Sequence, residues 1–172
     1  MSASSRKGHL TLHETLCDVA IRKARALDDS DADLLASLFT QDAVYDLSGF
    51  DFLVPMGILQ GRSSVVSSIL DAVGHLDTTH MLSNFQTNLS KDDDKSAHLT
   101  CYALAQHFRQ HQGQSPTCQQ SFLMGNQWSG DLVFDGESWR FKHFAIKCFW
   151  TQGDFGALAG DKSTPVAEDA QT

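Results

Sequence analysis

The sequence predicts an α+β fold: a cone-shaped, curved antiparallel sheet packed with about three N-terminal helices and enclosing a pocket. Two observations predict this fold. Between 10 and 73, apolar residues recur at helical spacing in three segments. Between 80 and 150, four long segments with the pattern of strands are separated by polar turns. A sheet that curls around helices leaves a conical cavity, which is a usual location for a small-molecule site.

The first two helices are predicted from apolar spacing and capping residues. Residues 10 to about 27 form an amphipathic segment, and Lys23 falls within its apolar stripe. Ser30 or Asp31 is the expected cap of a short second helix that runs through Phe39. A short acidic turn is therefore expected between the two helices.

The remaining elements are separated by turn-forming residues. A strand is expected in DAVYDLSGFDF, followed by a loop over 53–61 and a third helix from about Arg62 to Val73. Three polar segments have the composition that is typical of turns between antiparallel strands: KDDDK, HQGQSP and DGES. The long strands are therefore expected at about 80–90, 96–111, 117–134 and 139–150.

Short polar segments at both ends mark the limits of a single predicted domain. Residues 1–8 and 161–172 are small and polar and are predicted to be flexible tails, so the domain is expected to span 9–160. No linker or internal repeat divides that span. A chain of 172 residues is long enough to bury a sizeable core.

Charge and cysteine content exclude several classes of partner. The net charge is −8 and no Lys/Arg cluster occurs, so neither nucleic acid nor an anionic membrane is an expected partner. No stretch reaches the roughly 18 apolar residues that cross a bilayer, and no secretory signal is visible. The four cysteines are too dispersed for a zinc site or a disulfide framework. We therefore expect a cytoplasmic protein with reduced thiols.

Asp28, His80 and His107 are the candidate catalytic residues. Asp28 ends the first helix, and His80 follows the turn GHLDTT and opens a strand. His107 shares a strand face with small residues, which leave volume for a ligand inside a curved sheet. From the residues alone, Asp28 can equally begin the turn into the second helix, and both histidines can be packing residues. His107 and His111 are four residues apart, but on a strand they do not converge, so no metal site is expected.

Four segments in order carry a resemblance to a known family. The chain resembles the SnoaL-like group of the nuclear-transport-factor-2-like superfamily, which includes scytalone dehydratase and hexachlorocyclohexane dehydrochlorinase. The segments that carry the resemblance are RALDDSDADLLASLFTQDAVYDL, LQGRSSV, LDTTHMLSN and DGESWRFKHF. The resemblance covers residues 10–156. It implies a catalytic aspartate at the end of the first helix, Asp28, and a catalytic histidine at the start of the first long strand, His80. For the dehydratase branch it implies a second histidine, which matches His107.

The chain departs from the dehydratase pattern at its tyrosines and at a polar pair. Leu27 and Leu47 stand at the positions of two tyrosines that hold water there, although Tyr45 lies on the same strand face as Leu47. GNQWSG replaces the polar pair, with Asn126 or Gln127 available instead. Scytalone is therefore not the expected substrate.

The resemblance implies a cofactor-independent lyase or isomerase that acts on a small apolar secondary metabolite such as a polyketide. His80 is expected to take a proton from a carbon or a hydroxyl, while Asp28 accepts from its other ring nitrogen. His107 or a tyrosine is expected to protonate the departing oxygen. A C-terminal flap is expected to cover the pocket, with core packing as the alternative role of its aromatic residues. The expected substrate-binding residues are Tyr45, Phe122, Met124, Asn126, Trp128, Phe149, Trp150 and Phe155.

Two other functions remain open from the sequence. An epoxide hydrolase or cyclase on the same scaffold needs further pocket acids, for which only Asp46 and Asp131 are candidates. A non-catalytic small-molecule-binding module is the second, because the same fold serves as carrier or subunit elsewhere. Relatives often form dimers or trimers through the open sheet face, so the resemblance implies a homodimer or homotrimer.

Overall fold

Six strands and four helices make up the described part of the chain. The structure is a computed structural model and describes residues 10–118 and 120–159. In chain order the elements are α1 (Leu12–Asp28), α2 (Ala32–Ser37), β1 (Phe39–Gly49), β2 (Ile58–Gln60), α3 (Arg62–Val73), β3 (Asp77–Leu89), β4 (Ser96–Phe108), β5 (Ser121–Phe134), β6 (Trp139–Gly153) and α4 (Gly156–Ala159). The predicted tails at 1–8 and 161–172, and the predicted domain ends at 9 and 160, lie outside the described residues.

The strands form one curved sheet that is not closed into a barrel, in the order β2-β1-β6-β5-β4-β3. α1 packs against β3, and α3 packs against β1. This arrangement confirms the predicted α+β fold. None of the helices in the described part of the chain has the length and hydrophobicity to span a lipid bilayer.

β1 and β6 run parallel, whereas every other neighbouring pair in the sheet is antiparallel. Phe39 pairs with Phe141, and Tyr45 pairs with Phe144. Alternation along a strand reports which face is buried but not the direction of the neighbouring strand. The predicted antiparallel run is observed from β3 to β6, and the parallel pair joins that run to β1.

Local capping sets where the first two helices begin. Thr11 caps α1 by accepting a hydrogen bond from the Glu14 N–H at 3.2 Å, and the Glu14 carboxylate accepts one from the Thr11 N–H at 2.7 Å. α1 therefore begins at the next residue and continues to Asp28. Asp31 caps α2 by accepting a hydrogen bond from the Leu34 N–H at 2.9 Å. Only Asp29 and Ser30 separate the end of α1 from the cap of α2, so the turn between the two helices is short.

Strand register brings the ends of four strands together at one end of the sheet. β3 begins there, because Asp77 pairs with Phe108 at the end of β4. β5 also begins there, because Phe108 pairs with Ser121. β6 ends there, with Gly153 opposite Phe122. The first residues of β3 and the last residues of β4 are therefore neighbours at this end, which places His80 near His107.

Aromatic side chains fill the interior between the helices and the sheet. The ring of Phe144 lies 4.9, 5.0 and 5.5 Å, between centroids, from the rings of Tyr45, Phe141 and Trp128. All four side chains are buried. Trp128 also contacts His80, so this cluster forms one wall of the candidate site.

Candidate active site

Asp28 and His80 are in direct contact through two hydrogen bonds. His80 Nδ1 lies 2.6 Å from Asp28 Oδ1, and the His80 backbone N–H donates to Asp28 Oδ2 at 3.0 Å. Asp28 is the last residue of α1, and His80 lies near the start of β3. The two residues meet because α1 packs against β3. One carboxylate therefore holds both the ring and the main chain of the same histidine. The predicted pairing of these residues is observed.

The position of the carboxylate determines which nitrogen of His80 is free. An ionised Asp28 can only accept hydrogen bonds, so His80 Nδ1 carries the proton and Nε2 presents a lone pair. Burial lowers the pKa of His80 below its ordinary value, the Asp28 carboxylate opposes that shift, and the Lys23 charge adds to it. The side chain of His80 is 6% exposed and that of Asp28 is 22% exposed. His80 is therefore neutral at neutral pH, with its ring oriented by Asp28 and Nε2 able to accept a proton.

His107 lies beside His80, and its contact with Thr78 determines which ring nitrogen carries the proton. The two ring centroids are 5.7 Å apart at an interplanar angle of 78°. The Thr78 hydroxyl donates to the Gln106 carbonyl at 3.1 Å and lies 2.8 Å from His107 Nδ1. Both contacts are hydrogen bonds only if His107 Nδ1 donates, because the hydroxyl has a single proton.

The free nitrogen of His107 faces the interior without a proton. Its Nε2 is buried and has no hydrogen-bond partner among residues 10–118 and 120–159. Burial and the neighbouring His80 lower the pKa of His107 to about 3. His107 therefore donates a hydrogen bond from Nδ1 to Thr78 and presents Nε2 as an unpaired acceptor, and its expected role as a proton donor in the reaction stays a prediction. The sequence does not reveal which nitrogen of His107 is protonated, because this depends on a hydrogen bond with Thr78 on the neighbouring strand β3.

Lys23 is a site residue that sequence reasoning placed only in the apolar stripe of the first helix. Its side chain is 0% exposed. Its Nζ lies 3.8 Å from the ring centroid of Trp128, 4.2 Å from that of Phe144 and 5.2 Å from that of Tyr45. Burial lowers the pKa of Lys23 to about 7, against the opposing effects of Cys101 and Asp28. The available signal was a lysine at a core position of an amphipathic helix, which is an uncommon place for an ammonium group.

Six of the eight predicted substrate-binding residues face the interior. Phe122 and Met124 are buried on β5, and Phe155 packs on Phe122 with 5.5 Å between ring centroids. Asn126 is buried, and its Oδ1 has no hydrogen-bond partner in the described part of the chain. Tyr45 and Trp128 belong to the aromatic wall. The interior is therefore mainly apolar with a few unpaired polar atoms, which is typical of a small-molecule site.

Phe149 and Trp150 lie on the outer face of the sheet, so their prediction as pocket residues is wrong. Each is 46% exposed. Trp150 covers Gly125, where an added Cβ would lie 2.2 Å from the indole ring, and Phe149 contacts the exposed Tyr102 at 5.8 Å between ring centroids. A bulge between Gly125 and Asn126 shifts the register of β6 by one residue. Such a shift exchanges the two faces of a strand, and alternation in the sequence does not reveal it.

A cavity adjoins Asp28 at the end of the sheet where β3 begins. Its volume is about 510 Å³. It lies between the start of β3 and the turn that follows β4, and Asp28 forms part of its wall. The other lining residues are Leu76, Asp77, Thr78, Thr79, Phe108, His111, Gly113 and Gln114. Thr78 connects this cavity to His107 through the hydrogen bond described above.

The two acids that an epoxide-opening reaction would need do not join this site. Asp131 is exposed and contacts His98 Nδ1 at 2.7 Å on the outer face of the sheet. Asp46 alternates with the buried Tyr45 and Leu47 and accepts a hydrogen bond from the Ser48 N–H at 2.8 Å. Neither carboxylate is therefore placed to activate water beside His80.

The chemistry available at the site is proton transfer. His80 offers an oriented base, His107 and Asn126 offer acceptors, and Lys23 offers a buried donor. Among the described residues, no group of three or more His, Cys, Asp or Glu side chains is arranged to hold a metal ion. The buried side chains around these groups are largely apolar, whereas the adjoining cavity is lined mainly by polar residues.

Comparisons with known proteins agree on the family. The model of the SnoaL-like domain matches residues 8–145. The chain is 30% identical over 151 residues to the terrestric acid biosynthesis cluster protein E of Penicillium crustosum, which covers 87% of this chain and 90% of that protein.

Solved structures with similar folds are more distant in sequence. A hexachlorocyclohexane dehydrochlorinase of Novosphingobium barchaimii is 16% identical to this chain, with a TM-score of 0.64. The match covers 88% of this chain and 92% of that protein. A protein of Novosphingobium aromaticivorans, provisionally named a scytalone dehydratase, is 18% identical with a TM-score of 0.66, and covers 81% of this chain and 85% of its own. At these identities the likeness is one of fold. Together with the matching domain model, it shows that the chain belongs to the SnoaL-like domain family.

Proposed function

We propose that this protein is a cofactor-independent lyase or isomerase that moves a proton on a small apolar secondary metabolite. The observation that carries the proposal is the double contact between Asp28 and His80, which orients the ring and leaves Nε2 as the nitrogen that can accept a proton. The relative from Penicillium crustosum is named for a biosynthesis cluster, which supports a secondary metabolite as the substrate.

The first step is removal of a proton by His80. Its Nε2 accepts a proton from a carbon next to a carbonyl group, and the ring becomes an imidazolium. Asp28 stabilises that cation through the hydrogen bond from Nδ1. The apolar lining keeps water from competing for the proton.

The same proton completes either reaction. In a dehydration, the electron pair left on carbon forms the new double bond as the neighbouring hydroxyl departs, and His80 returns its proton to that oxygen so that water leaves. In an isomerisation, His80 returns the proton to a different carbon. Because His80 keeps the proton that it removed, it can return that proton in either reaction. His107 therefore does not need to donate a proton, and its unpaired Nε2 accepts a hydrogen bond from a substrate hydroxyl.

The experiment begins with deletion of the gene from its source organism. The metabolite that accumulates is the substrate, and purified protein then converts it. A product lighter by one water identifies a lyase, a product of equal mass identifies an isomerase, and a product heavier by one water identifies an epoxide hydrolase. We expect His80→Ala and Asp28→Asn to lose conversion while keeping the far-ultraviolet circular dichroism spectrum. Full conversion by both variants would exclude the proposed base.

A further inference from the structure

Lys23 is a buried ammonium group whose hydrogen-bonding capacity is unused. It has three N–H donors, and its Nζ has no hydrogen-bond partner within the described residues. The three rings around it supply attraction to a cation but no acceptor oxygen. Burial of an amine without an acceptor disfavours folding, because the hydration that it loses is only partly replaced. A methionine at this position would fill the same space without that cost.

Lys23 and the proposed base lie against the same indole ring. Lys23 Nζ is 3.8 Å from the ring centroid of Trp128, and the His80 ring centroid is 5.6 Å from it. Asp28 influences both, since it holds His80 and also stabilises the charge of Lys23. The unpaired donor and the proposed base therefore both contact Trp128.

We propose that Lys23 Nζ binds the carbonyl oxygen of the substrate and stabilises the enolate that forms when His80 removes the neighbouring proton. This inference rests on the proposed function and extends it, because it assigns the residue that holds that oxygen. The carbonyl oxygen and the acidic C–H of an enolisable carbonyl compound are on adjacent carbons, which matches a donor and a base beside the same ring.

The charge that develops in the reaction falls on the oxygen held by Lys23. When His80 removes the proton, the C–H electron pair forms a carbon–carbon double bond and the carbonyl electrons move to oxygen as an enolate. The ammonium of Lys23 stabilises that negative charge inside an apolar environment, where such stabilisation is strongest. The enolate then either collapses with departure of a hydroxyl group, which takes the proton from His80, or is protonated at another carbon.

The test uses a matched pair of probes that differ in one ionisable oxygen. Dimedone is an acidic enol that is largely an enolate anion at neutral pH, and its O-methyl enol ether has a similar shape but cannot ionise. Calorimetric titration measures the binding of each to wild type, to Lys23→Met and to Lys91→Met, in which an exposed lysine is changed in the same way. Circular dichroism establishes that each variant is folded.

We expect wild type and Lys91→Met to prefer dimedone to its ether. In Lys23→Met we expect dimedone to bind at least about tenfold more weakly, since a hydrogen bond between charged groups is lost. The ether keeps one neutral carbonyl oxygen, so it should lose less affinity than dimedone in Lys23→Met. No preference for dimedone in wild type, or an unchanged preference in Lys23→Met, would overturn the inference.

A further variant separates this inference from the proposed function. His80→Ala should retain the preference for dimedone, because the oxygen-binding group is still present. Conversion by His80→Ala would defeat the proposed proton transfer but leave the role of Lys23 intact. Loss of the dimedone preference through Lys23→Met, with a folded protein of equal or higher melting temperature, distinguishes ligand binding from a structural role. A lower melting temperature with an unchanged preference would assign Lys23 to packing alone.

Discussion

Asp28 holds His80 by both its ring and its main chain, at 2.6 and 3.0 Å. Because the two hydrogen bonds go to different oxygens of one carboxylate, the ring cannot rotate without losing one of them. The end of α1 and the start of β3 are thereby joined at the candidate site. The orientation of the base depends on this contact more than on any other in the site.

Asp28→Asn is expected to lower kcat by about two to four orders of magnitude with little change in folding. The amide still accepts the backbone hydrogen bond from His80, but it no longer stabilises an imidazolium or enforces the reactive tautomer. Turnover of the metabolite that accumulates on gene deletion measures the effect. Asp29→Asn, at the exposed residue that follows α1, is the matched control and should retain wild-type turnover.

Thr78→Val is expected to change the protonated nitrogen of His107. Valine has the shape of threonine but cannot accept the hydrogen bond that keeps the proton on Nδ1. Nitrogen NMR shifts of the labelled ring report which nitrogen carries the proton. We expect a mixture of the two tautomers in Thr78→Val and no change in Thr79→Val, whose side chain is exposed. An unaltered spectrum of His107 in Thr78→Val would contradict the assigned role of Thr78.

Phe155→Ala and Trp150→Ala are expected to affect activity differently. Phe155 packs on Phe122 inside the cone, so its loss should raise KM by about tenfold as apolar contact with the substrate and the lining is removed. Trp150 covers Gly125 on the outer face, so its loss should leave kcat and KM unchanged. Steady-state kinetics per folded protein tests both. Equal losses in the two variants would mean that both faces contribute to the substrate site.

The stability of the protein is expected to rise with pH above neutrality because of Lys23. Its pKa is about 7 in the folded protein and 10.5 ordinarily, so between these values the unfolded state binds the extra proton. The free energy of unfolding therefore increases with pH in this window, with a slope of up to about 1.4 kcal/mol per pH unit. Urea unfolding from pH 7 to about 8.5, below the range in which the raised pKa values of the Cys17 and Cys101 thiols oppose the effect, should show a steeper rise in wild type than in Lys23→Met. Equal slopes in the two proteins would contradict the lowered pKa.

The pH profile of kcat/KM is expected to be bell-shaped. The rising limb should follow deprotonation of His80, whose pKa is below 6.5, because the base must be neutral. The falling limb should follow deprotonation of Lys23 near pH 7, where Asp28, Cys101 and His80 are the titratable groups that act on it. Lys23→Met should lower kcat/KM and lose the falling limb. A falling limb that persists in that variant would assign it to another group.

Much of the fold could be predicted because local periodicity carries it. The third helix occurs at Arg62–Val73 as predicted, since its apolar spacing and the preceding glycine act within a few residues. The pairing of Asp28 with His80 was also predictable, because four segments in order resemble one family and place these residues at its catalytic positions.

The faces of β6 could not be predicted in the same way. One extra residue opposite Gly125 and Asn126 exchanges the two sides of the strand, so Phe149 and Trp150 point outward. A bulge of this kind depends on how two strands pair. The alternation of apolar and polar residues along either strand alone does not reveal it. The parallel pairing of β1 with β6 has the same origin in contacts between distant segments.

The sequence by itself determined the fold class, the first three helices and the order of the long strands, because these depend on local spacing and on the order of segments. The resemblance predicted that Asp28 and His80 form a pair, and their catalytic role stays a prediction. Only the tertiary structure decided which nitrogen of His107 is free, which face carries Trp150, and what surrounds Lys23. Each of these depends on an atom contributed by another strand or helix. Burial and hydrogen bonding act across such contacts, so the chemical state of a side chain is set by neighbours that are remote along the chain.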